Sequence, residues 1–370
     1  MKRAFLFCLL LSLSVISGCG DQINVEDISL SLLIGVDLDK ENHLVFSSSS
    51  PVFSTEAKEK EEYAEVHADT LRESRDEFDS TITALTSRGK VQVVLIGKRV
   101  LQHKGWFPVM DSMYRDGKNT VMGRVVLVDG PVSDVAKFRP IDKPRLPLYV
   151  SKLIDTAHER NVTVITSLQE LHRQFTDKGL SPSLTELKKD GEIKVTGTAL
   201  LDRFGKYKLS INADETRLLR LLQHQTDGEF TFTILLPKQP GKGVFNKNSM
   251  TFTPEGISVK TKTNYKDDKF VFDIGVGLRV GIKERLFSYD VKHKAPELEK
   301  QIEKELEQQF SQLVKKIQKA KIDPMGLGLY ARAYKYTQWK KVQDRWGEAL
   351  SKADVNVKVD IKIQSMGSMK

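Results

Sequence analysis

The sequence predicts an α+β fold of three mixed α/β domains with largely antiparallel sheets. Residues 270–282 carry an apolar side chain at every second position, which is typical of a strand with one buried face. Residues 298–317 carry apolar side chains every three or four positions, which predicts a long helix that packs on one side. The chain has 370 residues, and a single domain usually has ~100 to 200 residues, so we expect more than one domain. We therefore expect the C-terminal domain to consist of long helices packed on a sheet.

Changes in residue pattern divide the chain. The polar stretch 176–190, which contains Gly179 and Pro182, predicts the first domain boundary. The predicted units are a leader at 1–18, an N-terminal α/β domain at 19–185, a middle domain at 186–256 and a C-terminal α+β domain at 257–370. The sequence contains no internal repeat, so a repeat architecture is not expected.

Residues 1–19 have the order of a bacterial lipoprotein signal. Lys2 and Arg3 precede an apolar segment at 4–16, and two small residues separate this segment from Cys19. The apolar segment is shorter than the about 20 residues that span a bilayer. We expect cleavage before Cys19 and lipidation of its thiol, which would attach the protein to a membrane. The alternative is an ordinary secretion signal with an incidental cysteine.

Composition limits the partners and the redox chemistry. The two cysteines are Cys8 and Cys19, so we expect neither a disulfide nor a cysteine metal ligand in the mature domains. The formal net charge is +9, which suits either attraction to anionic lipid headgroups or plain surface solubility. The basic residues are scattered rather than aligned on one face, so nucleic acid is not expected as a partner.

Strand and helix patterns alternate in the N-terminal domain. The charged stretch 56–65 is expected to be solvated. Ser167 and Glu170 have the spacing of a capping box at the start of a helix. The predicted strands are 28–36, 43–50, 91–96 and 121–128, and the predicted helices are 71–85, 106–114, 148–157 and 168–175.

The later elements include the longest strand and the longest helix. Asp323-Pro324 is expected to break the long helix. Gly326 and Gly328 are expected to form a flexible joint, either a plain interhelix turn or a functional hinge. The last strand is expected to join an antiparallel sheet. The predicted elements are strands at 193–195, 207–209, 230–236, 257–264, 270–282 and 355–363, helices at 213–223, 298–317 and 330–350, and a loop at Pro237–Asn248.

The sequence predicts no catalytic residue, no cofactor-binding residue and no metal ligand. No two of the seven histidines lie within five residues of each other. The chain lacks the His-Glu-x-x-His zinc motif, the Gly-x-Ser-x-Gly nucleophile motif and a phosphate-binding glycine loop. We therefore expect that the protein is not an enzyme.

Asp37, Asp39 and Glu41 are similar to the start of a calcium-binding loop. Such a loop needs a glycine at its sixth place and a glutamate at its twelfth. Those places hold Asn42 and Ser48 here. We therefore predict a hairpin turn between two strands at this point.

Several groups of residues carry a resemblance to a known family. They are the lipobox at Cys19, Ile34-Gly35-Val36-Asp37, Gly89–Lys98, Thr196–Leu201, Lys206–Arg220, and the C-terminal set Ile317–Asp323, Gly326-Leu327-Gly328, Arg332, Trp339, Trp346, Ala353–Val357 and Gly367. Together they resemble the Ger(x)C family, the lipoprotein subunit of nutrient germinant receptors in endospore-forming bacteria. The resemblance covers nearly the whole chain after Cys19.

Two positions depart from the family pattern. Gly20 stands where family members often have a tryptophan, next to the lipidated cysteine. The proline that is common between the arginine and the tryptophan of the last helix is missing between Arg332 and Trp339. The missing proline predicts a smoother helix in this chain.

The resemblance implies a non-enzymatic protein of three domains on the outer surface of the inner spore membrane. Acylated Cys19 would hold it on the lipid bilayer, and it would work beside two integral membrane subunits of a nutrient germinant receptor. No cofactor is implied. A solute-binding lipoprotein of an uptake system and a surface hydrolase stay open as alternatives. Solute-binding proteins usually have two similar α/β lobes with parallel sheets, and the alternating strands here favour antiparallel sheets.

Overall fold

The computed structural model describes residues 27–82, 84–236 and 248–365. The predicted leader, Cys19 and residues 237–247 of the predicted Pro237–Asn248 loop lie outside this part of the chain. The strands are β1 Ile28–Leu30, β2 Leu33–Leu38, β3 Leu44–Pro51, β4 Glu61–His67, β5 Leu85–Ser87, β6 Val93–Gly97, β7 Arg124–Val128, β8 Ser183–Asp190, β9 Glu192–Leu201, β10 Tyr207–Ile211, β11 Phe232–Leu235, β12 Ser249–Lys266, β13 Lys269–Arg285 and β14 Asp354–Ser365.

The helices are of very different lengths, and α8 is the longest of those described. They are α1 Glu73–Asp79, α2 Lys98–Leu101, α3 Asp111–Arg115, α4 Val132–Ala136, α5 Leu146–Glu159, α6 Leu168–Thr176, α7 Ala213–Leu222, α8 Val291–Ala320, α9 Leu327–Tyr334, α10 Tyr336–Val342 and α11 Trp346–Ser351, with 3₁₀ helices at Phe107–Met110 and Gln343–Arg345. None of the described helices is long and apolar enough to cross a membrane.

An eight-stranded sheet forms the first layer, in the order β10-β9-β8-β7-β6-β2-β3-β4. The central strands β8, β7, β6 and β2 pair in parallel, and the flanking pairs are antiparallel. β6 is apolar at four successive positions and buried throughout, because one face packs with α1 and α6 and the other with α4 and α5. The predicted strand at 91–96 is confirmed.

The large sheet joins strands from two of the predicted domains. β8 extends across the predicted limit between residues 185 and 186, and β9 and β10 continue the sheet. A hairpin does form between β9 and β10, but the predicted pairing of 193–195 with 207–209 is wrong. β10 pairs with residues 198–201 of β9, because residues 193–195 of that long strand pair with β8 instead. The domain limits themselves stay predictions.

The second sheet has the order β11-β12-β13-β14. β12 and β13 form the predicted long hairpin, and its turn has positive φ angles of 48° at Asp267 and 57° at Asp268. Positive φ at both central residues matches the right-handed twist of the paired strands. The apolar stripe of α8, from Leu298 to Ile317, is buried against this sheet. The α+β fold class, with a long helix packed on a C-terminal sheet, is therefore confirmed.

Two predictions for the last segment are wrong. β14 pairs with β13 in parallel, because helices α8 to α11 carry the chain back to the starting end of β13 before β14 begins. The predicted single helix at 330–350 consists of three short helices, since the backbone leaves helical angles at Lys335 (φ −138°, ψ 51°) and at Val342 (φ −120°, ψ 1°). The missing proline therefore does not give a smoother helix. The breaks place Trp339 and Trp346 on separate helices, both buried.

The stretch 56–65 was predicted to be solvated, and this is correct only in part. Its second half belongs to β4, which begins at Glu61 and pairs with β3. Ala64 and Val66 pack against the hydrophobic core on one face of the eight-stranded sheet, and Tyr63 packs against the core on the other face. These apolar contacts stabilise the strand although its composition is acidic. Acidic side chains on this edge strand discourage pairing with another chain.

A row of glutamates on α8 covers the open edge of β14. Glu307, Glu303 and Glu299 accept hydrogen bonds from the backbone N–H groups of Val359 (3.1 Å), Ile361 (3.0 Å) and Ile363 (2.9 Å). The spacing of the glutamates matches the spacing of the N–H groups, since four residues of helix rise ~6 Å and two residues of strand rise ~6.6 Å. The polar face of α8 was predicted to be free of packing, and these glutamates correct that prediction.

We expect Glu303→Ala to lower the free energy of unfolding by about 1 to 3 kcal/mol, because the buried N–H of Ile361 loses its acceptor. Glu303→Gln keeps an acceptor oxygen and should lose less. Gln308→Ala, at an exposed position of the same helix, is the matched control. Urea unfolding measures all three. Equal effects of Glu303→Ala and Gln308→Ala would contradict the role of the glutamate row.

Candidate functional site

The carboxyl ends of the central parallel strands are where α/β proteins commonly bind ligands. Asp37 lies at this edge of the sheet, and its carboxylate accepts hydrogen bonds from the N–H groups of Leu38 (2.8 Å) and Val132 (2.8 Å). Gly97 faces Asp37, and a Cβ at Gly97 would overlap the carboxylate. Burial raises the pKa of Asp37, although the two backbone hydrogen bonds oppose the rise. The glycine and the aspartate therefore serve the packing of α4 on the sheet.

A second polar group at the same edge is also internally paired. Lys98 Nζ lies 2.8 Å from Asp129 Oδ1 and 3.7 Å from Glu186 Oε1. The same ammonium lies 4.7 Å from the centre of the Tyr207 ring. Because its cation already has these partners, this edge of the sheet is a structural contact between β6, β7, β8 and β10.

Asp39 forms the predicted hairpin turn. Its Oδ1 accepts hydrogen bonds from the N–H groups of Glu41 (2.9 Å) and His43 (2.8 Å), which is how an aspartate stabilises a tight turn. The hairpin interpretation of this acidic segment is confirmed by the β2–β3 pair. Across residues 27–82, 84–236 and 248–365, no group of three or more histidine, cysteine, aspartate or glutamate side chains is arranged to hold a metal ion.

The most elaborate polar arrangement is the turn at residues 321–328, called here the Asp323 turn. Asp323 is completely buried. Its Oδ1 accepts from the N–H groups of Gly326 (2.9 Å) and Leu327 (3.2 Å). Its Oδ2 accepts from Gly328 N–H (2.7 Å) and Trp346 Nε1–H (2.7 Å). Burial raises the pKa of Asp323 to about 6, against the lowering by these four donors. One carboxylate thereby fixes both the start of α9 and the indole of α11.

The Asp323 turn docks on the segment that follows α6. Ser181 and Asp323 exchange two hydrogen bonds: Ser181 N–H donates to the Asp323 carbonyl (2.9 Å) and Asp323 N–H donates to Ser181 Oγ (2.8 Å). Arg332 donates to both carboxylate oxygens of Asp177, at 3.2 and 3.1 Å. These contacts join the eight-stranded sheet region to the C-terminal helices.

The glycines of this turn are required by close packing. Gly326 has a φ of 78°, a conformation that favours glycine. A Cβ at Gly328 would lie 2.6 Å from Gly179 Cα, so the two backbones touch. The interpretation as a plain turn is the one that the geometry supports, and the predicted flexible joint is a tightly packed contact.

The sequence prediction treated Asp323 only as part of a helix break, and it missed Ser181. A usable signal was present, because an aspartate followed by glycines at the third and fifth positions can accept hydrogen bonds from a helix N-terminus. Nothing local in the sequence points to Ser181, which lies 142 residues from Asp323.

Two protein families match this sequence, and together they cover most of the chain. Residues 21–189 match the family described as "Spore germination protein N-terminal domain", and residues 196–367 match "Spore germination B3/ GerAC like, C-terminal". The chain is 23% identical to spore germination protein A3 of Bacillus subtilis (strain 168), over 98% of this chain and 98% of that protein.

A solved structure has the same fold. The chain is similar to the crystal structure of the GerBC protein with a TM-score of 0.57 and 17% sequence identity, over 89% of this chain and 96% of that chain. The two family matches together cover most of the strands and the Asp323 turn. The chain therefore belongs to the Ger(x)C family, the C-subunit family of spore germinant receptors.

Proposed function

We propose that this protein is the membrane-anchored lipoprotein subunit of a spore nutrient germinant receptor and that it has no enzymatic activity. It would be lipidated at Cys19, lie on the outer face of the inner spore membrane, and act beside two integral membrane subunits when a nutrient triggers germination.

The observation that carries the proposal is the family match along nearly the whole length, from residue 21 to residue 367. The lipobox at Cys19 directly precedes that match and supports the membrane anchor. The described structure supports a non-enzymatic role, because Asp37, Lys98 and Asp323 hold structural contacts at the places where catalytic groups could have stood.

The alternative of a solute-binding lipoprotein gains no support from the architecture. Such proteins usually pair two similar α/β lobes around a cleft, whereas the described residues form an eight-stranded mixed sheet, a different sheet of four strands and a two-stranded sheet of β1 and β5. The surface hydrolase likewise has no supporting geometry in the described residues.

Affinity capture of the tagged protein from detergent-solubilised spore membranes tests the proposal. We expect mass spectrometry to identify two polytopic membrane proteins that do not accompany an unrelated tagged lipoprotein from the same membranes. Recovery of a transporter permease with its ATPase would replace the proposal with the solute-binding function. Recovery of the same proteins with both baits would remove the support for a specific receptor complex.

A further inference from the structure

A cavity of about 530 Å³ lies beside the Asp323 turn. Residues of α5, α6 and β8 line one side, and residues of α7 and the segment 324–330 line the other. The volume falls within the ~300 to 1,000 Å³ of typical small-molecule sites. Its lining is unusually polar for such a site, so the cavity suits a small polar molecule rather than an apolar one.

Arg220, in the last turn of α7, is the lining residue with a buried donor that has no partner among the described residues. Only 3% of its surface is exposed, and its Nε is buried without a hydrogen-bond acceptor. Its Nη1 lies 3.1 Å from His158 Nδ1. No carboxylate of the described residues lies within ion-pair distance of it, although Glu159 and Asp227 attract it from farther away. A buried guanidinium without a counter-ion is unfavourable, and the helix dipole offsets only part of that cost.

His158 cannot supply the missing negative charge. Burial and the neighbouring charge of Arg220 lower the pKa of His158, so its ring is neutral near pH 7. A neutral ring nitrogen accepts at most one hydrogen bond from the guanidinium. The Nε–H group of Arg220 is left without an acceptor among the described residues.

The other charges of the cavity cancel each other. Arg173 donates to both oxygens of Glu170, at 2.7 and 2.6 Å, and Gln174 donates to the same carboxylate at 2.8 Å. Arg220, Arg173 and Glu170 are the charged side chains among the described lining residues. The cavity therefore carries one uncompensated positive charge, which matches a monoanion better than a dianion.

A second buried arginine shows what a purely structural guanidinium looks like in this protein. Arg88 also lacks a carboxylate within ion-pair distance among the described residues, but it donates to the Leu71 carbonyl (2.7 Å) and to Ser74 Oγ (2.9 Å). The space beside Arg88 is only about 20 Å³, too small for any organic molecule. Arg220 differs in having both an unpaired donor and a cavity next to it.

We propose that this cavity binds a small organic carboxylate, with Arg220 as its counter-ion. The planar guanidinium can form two parallel hydrogen bonds with a carboxylate, the geometry that arginine recognises best. The bound molecule would contact α7 and Pro324 on one side and α6 on the other, so its binding would stabilise the contact between the two sheet regions. Binding at this site does not depend on the proposed receptor function.

Propionate and its neutral analogue propionamide test the proposal on the full-length protein in a neutral detergent, at constant ionic strength. We expect saturation-transfer NMR to detect propionate bound to the protein, and we expect a propionate-dependent rise in the unfolding midpoint. Propionamide should give neither effect. Equal binding of the amide, or no binding of propionate, would overturn the proposal without any variant being made.

Arg220→Met and Arg220→Lys locate the binding. Met keeps the length of the side chain and removes the charge, so propionate affinity should fall at least about tenfold, whereas Lys should give an intermediate loss. Arg217→Gln is the control, because Arg217 pairs with Asp214 on the same helix and does not line the cavity. Unchanged propionate binding in folded Arg220→Met would overturn the assignment to this site. Failure of the membrane capture experiment would leave these binding results unaffected.

Discussion

Asp323→Asn is expected to lower the free energy of unfolding by about 3 to 5 kcal/mol at pH 8, where the native carboxylate is ionised. The substitution conserves the size of the side chain, but an amide has one acceptor oxygen where the carboxylate has two. Its NH₂ group would face either the N–H groups of Gly326 and Leu327 or those of Gly328 and Trp346. Two donors would lose their acceptor in a completely buried place, whichever way the amide is turned.

Urea unfolding of the wild type and the variant measures this loss. Asp344→Asn is the matched control, because Asp344 is an exposed carboxylate that pairs with Lys178 at 2.8 Å, and exposed ion pairs contribute little to stability. A loss for Asp323→Asn no greater than that of Asp344→Asn would show that the Asp323 turn does not hold the two regions together. Trp346 provides a local probe, since its fluorescence should change when its hydrogen bond to Asp323 is lost.

Sequence reasoning predicted the parts of this fold whose pattern is local. The apolar stripe from Leu298 to Ile317 and the alternation from Phe270 to Ile282 each repeat over many residues, so chance matches are improbable and the elements formed as expected. The turn at Asp39 was predicted for the same reason, because every hydrogen bond that it needs lies within four residues.

The remainder depends on contacts that no local pattern encodes. The parallel pairing of β14 with β13 is set by the path of the intervening helices, and the alternation at 355–363 is the same for parallel and antiparallel strands. The Asp323 turn depends on Ser181 and Gly179, which are distant in sequence. The sequence did not indicate Arg220 as a ligand-binding residue, because a single arginine among leucines on a helix forms no recognisable motif.

Cys19→Ala is expected to prevent the proposed lipidation and to release nearly all of the protein from the membrane. The thiol is the only atom group that can form the thioether to diacylglycerol at this position, and alanine has none. Each acyl methylene in the bilayer contributes about 0.8 kcal/mol, so loss of the lipid removes far more membrane affinity than a net charge of +9 restores. We also expect slower germination in response to nutrients.

Cys8→Ala is the matched control, because it removes a thiol from the same leader and leaves the lipobox intact. Mass spectrometry of the N-terminal peptide, immunoblots of washed membranes and nutrient-triggered germination measure the outcome. An acylated N-terminus on Cys19→Ala protein would refute lipidation at this residue. Normal germination with unlipidated protein, in a strain without paralogous receptors, would show that anchoring is dispensable. Asp323→Asn and Cys19→Ala are expected to separate two requirements. Asp323→Asn should weaken the folded protein and leave the proposed anchor intact, whereas Cys19→Ala should remove the proposed anchor from a correctly folded protein.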